Sequence, residues 1–120
     1  MNFAAARPVQ CAVVGGSLVG LSAAIALSRL GMDVTVFERS PARAIEGGGG
    51  LGVDVDLLRQ VTGIRDEPPV LHGIDRDTTA WHLLQGWLES RASRRPAVTV
   101  HRGTQVTAVH PAAISSRRAW

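Results

Sequence analysis

A chain of 120 residues, 45% of them apolar and 19% charged, has the size and balance of one globular domain with its own core and leaves no room for two complete domains. Its charges are too scattered for a disordered chain, and no run of ~20 apolar residues is present to cross a membrane as a helix. The thirteen basic residues are all arginine and face ten acids, so the net charge is only +3 and the high calculated pI reflects arginine's high pKa.

Residues 1–8 read as a short leader. Pro8 and Gln10 interrupt any apolar core of signal-peptide length, which points to a cytoplasmic protein. Residues 9–14 form an apolar run that ends in glycines, the pattern of a parallel strand buried on both faces. The single cysteine, Cys11, lies inside that run and reads as an inert core thiol.

A helix is predicted over residues 19–30, with Leu21, Ala24, Ile25 and Ser28 on one side and Gly31 as a left-handed C-terminal cap. Residues 34–37 form the second strand, which closes on Glu38. Ser40-Pro41 stops it, and residues 42–45 suit a short helical turn. Four consecutive glycines at 47–50, with Gly52 beyond, have two readings: a flexible loop, or a backbone that passes close to a ligand.

Asp54 is placed to cap a helix that runs through Leu57, Leu58 and Val61 and stops at Gly63. Asp66-Glu67-Pro68-Pro69 forces a loop, and residues 70–74 suit a short strand. Thr78 or Thr79 then caps a helix to about Arg91, on which Trp81, Leu84, Trp87 and Leu88 repeat as an apolar face. Such a stripe reads as core before it reads as an interaction face.

Arg91, Arg94, Arg95 and Arg102 gather before and after the third strand, at residues 98–100, which the preceding crossover helix makes parallel to the first two. No aromatic residues interleave with these arginines, so a solvated face is expected and nucleic-acid binding is not. Residues 106–109 form a fourth strand closed by Pro111, and residues 112–120 read as an irregular tail. The fold class is α/β: a single Rossmann-like βαβ nucleotide-binding domain over residues 1–120, built on a parallel sheet with helices.

The chemistry lies in Val13-Val14-Gly15-Gly16-Ser17-Leu18-Val19-Gly20-Leu21. A dinucleotide brings a pyrophosphate, which free N–H groups at the positive end of a helix hold well if no bulky side chain intervenes. Gly15 permits the tight turn and Gly20 lets the helix pack on the strand. The middle position of the GxGxxG pattern is Ser17, whose small hydroxyl can donate to a phosphate oxygen. Glu38 ends the second strand about 20 residues on, where a carboxylate accepts from ribose hydroxyls and repels a 2′-phosphate, disfavouring NADP. Arg39 is placed to stack on adenine or pair with a carboxylate, or else to sit in solvent.

Other constellations point nowhere. His72, His82, His101 and His110 lack metal-ligand spacing, so no metal is expected. Gly15-Gly16-Ser17-Leu18-Val19 lacks the second glycine of a nucleophile elbow. Asp54 and Asp56 are explained by capping, and no residue is a credible catalytic acid or base.

The stretch Gly15 to Leu21, with Ala23-Ala24-Ile25-Ala26-Leu27, Gly31, Val34 to Phe37 and Glu38-Arg39-Ser40, resembles the N-terminal segment of FAD-dependent aromatic-ring hydroxylases. Its Gly-Gly-Ser turn is similar to that of the 2,6-dihydroxypyridine hydroxylase-like branch. The resemblance implies FAD as cofactor, with Gly15, Gly16, Ser17, Leu18 and Gly20 facing the pyrophosphate, Glu38 and Arg39 the adenosine, and Val106 making backbone contact with adenine. It turns the glycine run toward the ligand. It also places Trp81 where many members have an arginine that contacts the flavin.

Complete members use NAD(P)H and oxygen to hydroxylate a small aromatic substrate. They carry an Asp-Gly segment, a Gly-Asp segment and a substrate-covering sheet, none of which is found in these 120 residues. The chain is therefore expected to be a truncated or frame-shifted product, not competent alone, with an uncovered sheet edge that makes it marginally stable or self-associating. The alternatives are a nonenzymatic nucleotide-binding remnant and an NAD-binding Rossmann module completed by a partner.

Overall fold

The computed structural model describes residues 7–41 and 49–118. Its centre is a three-stranded parallel sheet of β1 (Gln10–Val14), β2 (Asp33–Phe37) and β5 (Val98–His101), in the order β1-β2-β5. The register sets Val13 beside Val36 and Val36 beside Val100, so the β-branched residues line up across the sheet. Helices α1 (Leu18–Arg29) and α3 (Trp81–Ser93) cover one face, and the core lies between: Leu21, Ala24 and Ile25 against Val34, Val36, Val98, Leu84, Leu88 and Ala92.

The periodicity of α1 matches the sequence pattern, since Leu21, Ala24, Ile25 and Ser28 are its buried residues. Gly31 follows with φ 86°, and its N–H donates to the Ser28 carbonyl. Helix α2 (Val55–Thr62) also begins and ends as expected. Asp54 Oδ1 accepts from the Leu57 N–H at 2.9 Å, and Gly63 closes the helix at φ 68°. Above that end, Arg29 donates to the carbonyls of Gln60 and Val61, setting a cation on the negative end of the α2 dipole and joining α2 to α1.

Between the sheet strands the chain forms an antiparallel pair, β3 (Gly50–Val53) with β4 (Asp77–Ala80). Gly50 and Gly52 thus belong to a strand; residues 42–48, including the expected helical turn and the first two glycines of the run, lie outside the described residues. Within 70–74 only Leu71 pairs, as an isolated bridge to Thr78.

Four expectations need correction. The first strand is not buried on both faces: Cys11 and Val13 turn inward, but Ala12 and Val14 are exposed, because among the described residues no layer covers that side of the sheet. Thr78 and Thr79 do not cap α3, since they pair in β4 and the N-cap is Ala80, which has no side chain to accept. The buried stripe of α3 is Leu84, Leu88 and Ala92 flanked by Gln85 and Glu89, leaving Trp81 and Trp87 half-buried at its margin. Finally, the tail is regular: Ala113–Arg118 forms β7, an antiparallel hairpin with β6 (Thr104–His110), because backbone pairing needs no apolar alternation when both faces meet solvent.

Candidate functional site: the glycine turn

The turn joins the C-terminal end of β1 to the N-terminus of α1. Gly15 takes φ 103°, a conformation open to glycine, and its N–H donates to the Phe37 carbonyl at 2.8 Å, tying the turn to β2. Gly20 sits against the turn so closely that a Cβ there would lie 1.8 Å from the Gly15 carbonyl oxygen. Gly16 is buried, and a Cβ on it would meet Glu38 Cβ at 3.1 Å. The glycines are thus explained by two close approaches, helix to turn and turn to Glu38.

Ser17 is the N-cap of α1, yet its side chain makes no capping hydrogen bond and is exposed. The first helical bond runs from the Leu21 N–H to the Ser17 carbonyl, so the N–H groups of Leu18, Val19 and Gly20 precede the helical ladder. No acidic residue occupies the first turn. The positive end of α1 is therefore not neutralised from within its own first turn.

Glu38 closes the turn from the side. Its Oε1 accepts from the Gly16 N–H at 3.1 Å and its Oε2 from the Ser40 N–H at 2.8 Å, which fixes the carboxylate at the end of β2. Each oxygen has a second lone pair for a further donor. A cavity of about 270 Å³ lies over these residues and is lined by Gly16, Ser17, Glu38, Ser40, Trp81, Gln85 and Arg102.

Of the residues expected from sequence, Gly16, Ser17 and Glu38 meet in this cavity, and Gly15 and Gly20 form its foundation. Leu18 lines a separate, apolar groove with Val19, Leu51, Leu57 and Val61. Arg39 is exposed and does not line the cavity. Val106 is half-buried in β6, paired with Ser116 beside a bulge, and does not line it either.

Two residues were missed. Gln85 is buried on α3, where its Nε2 donates to the Gly16 carbonyl at 2.5 Å and its Oε1 has no partner. Arg102 follows β5 and pairs through Nε and Nη2 with the buried carboxylate of Glu89, the Nε contact being 2.7 Å. The helical spacing of Gln85 and Glu89 on the stripe of Leu84 and Leu88 was a usable signal: two polar residues on a core-facing helix side require partners. The arginine group is likewise not a solvated face throughout. Arg91 pairs with Asp66 and lies over the Trp87 ring, and Arg95 bonds Ser28.

Among the described residues no cluster of three or more His, Cys, Asp or Glu could hold a metal ion, and no helix is long and apolar enough to cross a membrane. His72 sits between two carboxylates: Nδ1 meets Asp77 at 3.0 Å and Nε2 meets Glu67 at 3.0 Å, and these carboxylates raise its pKa. This cluster lies against α2 and β4, away from the glycine turn.

Comparison with known proteins finds relatives in sequence and in fold. Residues 10–47 match the family model described as pyridine nucleotide-disulphide oxidoreductase. Over 49 residues the chain is 49% identical to 2,6-dihydroxypyridine 3-monooxygenase of Paenarthrobacter nicotinovorans, a match covering 41% of this chain and 12% of that protein. The tetrameric form of 2-methyl-3-hydroxypyridine-5-carboxylic acid oxygenase superposes with a TM-score of 0.73 at 22% identity, over 96% of this chain and 37% of that one. The flavin-dependent monooxygenase PieE, solved with FAD and substrate, gives 0.69 at 19% identity, over 87% and 25%.

The chain thus spans well under half the length of these relatives. The family model covers the first βαβ unit, while the shared fold extends over nearly the whole chain. That fold is the Rossmann-like α/β arrangement of FAD-dependent monooxygenases, as the resemblance implied.

Proposed function

We propose that this chain is an FAD-binding unit of the aromatic-ring hydroxylase type, with the adenosine diphosphate half of the cofactor seated at the glycine turn. The observation that carries the reading is the pairing of an α1 N-terminus with no acid in its own first turn and a carboxylate fixed beside it at Gly16, in one cavity. Diphosphate suits the N–H groups of residues 18–20 and the Ser17 hydroxyl; ribose hydroxyls suit Glu38. Gln85 lines the cavity with its Oε1 buried and unpartnered, and the lack of a side chain at Gly16 and Gly20 lets Glu38 and α1 close onto the turn that would hold the ligand. Leu18, Arg39 and Val106, which do not line this cavity, belong to the proposal in the roles the resemblance implies: Leu18 toward the pyrophosphate, Arg39 toward the adenosine and Val106 toward the adenine through its backbone.

When bound, a flavin would supply the redox and oxygen chemistry used by complete relatives on aromatic substrates. The residues of this chain bind and orient: Gly15 turns the backbone, Gly20 brings α1 onto it, Glu38 holds the turn's N–H in place, and Ser17 donates. None is positioned as a catalytic acid or base, so hydroxylation is proposed only where the segments carried by longer relatives are supplied. The edge of β1, which among the described residues pairs with β2 alone, supports self-association of the isolated chain. A cytoplasmic location belongs to the same proposal.

The test is direct. The purified chain is expected to carry or take up FAD, seen as a flavin absorption spectrum and quenched flavin fluorescence. Binding of ADP or NAD without binding of FAD would overturn the flavoprotein reading in favour of the second one, an NAD-binding Rossmann module, which the pyridine-nucleotide family match favours.

A further inference from the structure

We infer that Arg102 is the phosphate-binding cation of this site, held in place by Glu89. The inference rests on the nucleotide reading of the same cavity and adds a residue that no sequence motif contains. Among the described residues that line the cavity, Arg102 is the cation, and Ser17 at the start of α1 lines it too. A diphosphate brought there carries charge that the helix terminus alone offsets only in part.

The geometry of the guanidinium decides its use. Nε and Nη2 both engage the Glu89 carboxylate, a fork that prevents rotation about the end of the side chain. Nη1 makes no hydrogen bond among the described residues and remains a charged donor. Glu89 lies on the core-facing side of α3 and does not line the cavity, so its carboxylate secures the arginine from behind. A buried ion pair is weak evidence for stability, because desolvation of both charges offsets their attraction. Fixing a charged donor at a ligand site is a role that a hydrophobic pair in its place could not fill.

A second observation points to a ligand at the same place. Gln85, one turn before Glu89 on α3, is 5% exposed, lines the cavity, and leaves Oε1 without a partner. Arg102 and Gln85 therefore put a cation and a buried amide with an unsatisfied oxygen beside the glycine turn. That combination suits a charged phosphate.

Equilibrium binding of FAD, ADP and adenosine tests the assignment, with the wild-type chain, Arg102→Lys and the double variant Arg102→Leu/Glu89→Leu. The double variant removes Arg102 together with the carboxylate it bonds, so neither member of that pair is left without the other. Wild type is expected to bind FAD and ADP with affinity that falls as salt rises. The double variant should lose about tenfold or more for both while adenosine binding is unchanged, and its salt dependence should be shallower. Arg102→Lys, which keeps the charge without the fork, should fall between.

Wild-type affinity and salt dependence in both variants would overturn the role of Arg102 and leave the nucleotide site standing. Equal losses for adenosine and ADP would also overturn it, since they would mark a purely structural effect. If the wild-type chain binds neither FAD nor ADP, the nucleotide reading itself fails and this assignment with it.

Discussion

Gly20 and Gly15 approach so closely that no side chain fits between them: a Cβ on Gly20 would stand 1.8 Å from the Gly15 carbonyl oxygen. Backbone packs against backbone at this point, and the position of α1 over β1 follows from it. In Gly20→Ala the helix must move off the turn, at a cost of about 1–3 kcal/mol, more than the roughly 1 kcal/mol that alanine adds to helix propensity. Gly86 supplies the control, since it lies within α3 with open space where a Cβ would go. Gly86→Ala is expected to stabilise by about 0.5–1 kcal/mol. Urea unfolding of the two variants, compared with wild type, should therefore show shifts of opposite sign.

Ser17 allows stability and binding to be separated. Its side chain makes no cap bond, and the first turn of α1 contains no acid. Ser17→Asp places a negative charge at the helix N-terminus, worth about 0.3–1 kcal/mol in stability. The same charge repels a diphosphate. The variant should melt higher than wild type and bind ADP and FAD at least about tenfold more weakly; a variant that melts higher and binds equally well would mean the phosphates do not sit at Ser17.

Glu38 joins the turn to β2 through two backbone N–H groups, those of Gly16 and Ser40. Glu38→Ala leaves the buried Gly16 N–H without this acceptor and should cost about 1–3 kcal/mol. Glu38→Gln keeps one acceptor oxygen and should cost less, yet lose affinity for adenosine, whose ribose no longer meets a carboxylate. Thermal melts and adenosine titration of the pair distinguish the two contributions.

The His72 cluster gives a pH dependence of known sign. Asp77, the larger influence, and Glu67 raise the His72 pKa above its unfolded value, so protonated His72 bonds both carboxylates in the folded chain. The stabilisation is present below the unfolded pKa of about 6.5 and is lost as pH rises through the raised folded value. His72 is at the surface, so the effect is local and small. Amide exchange at Leu71 and Thr78, which bridge beside the cluster, should quicken relative to the rest of the chain between pH 6 and 8 after correction for intrinsic rates, and His72→Gln should abolish that extra change.

What the amino-acid sequence determined by itself was local. Gly15, Gly20 and Gly31 specify backbone conformations and close approaches that few residues permit, Asp54 and Gly63 bracket a helix by their own hydrogen bonds and torsions, and Leu21 to Ser28 repeat at helical spacing. Each signal acts within a few residues, so each is legible in one dimension. Glu38 was legible at longer range because the βαβ unit holds its separation from the turn nearly constant.

Only the tertiary structure decided which polar residues meet. Gln85 reaches Gly16 across 69 positions, and Arg102 lines the same cavity as Ser17 after a separate crossover through α3 and β5. The exposure of Ala12 and Val14 likewise depends on what covers the sheet, which an apolar run does not encode. Strand pairing turned the last residues into β7, although their side chains show no alternation, because backbone hydrogen bonds require a partner strand and no particular side chain. Burial and convergence of charge depend on packing between elements, and it is this packing that brings Arg102, Gln85 and Glu38 to the turn between Gly15 and Gly20.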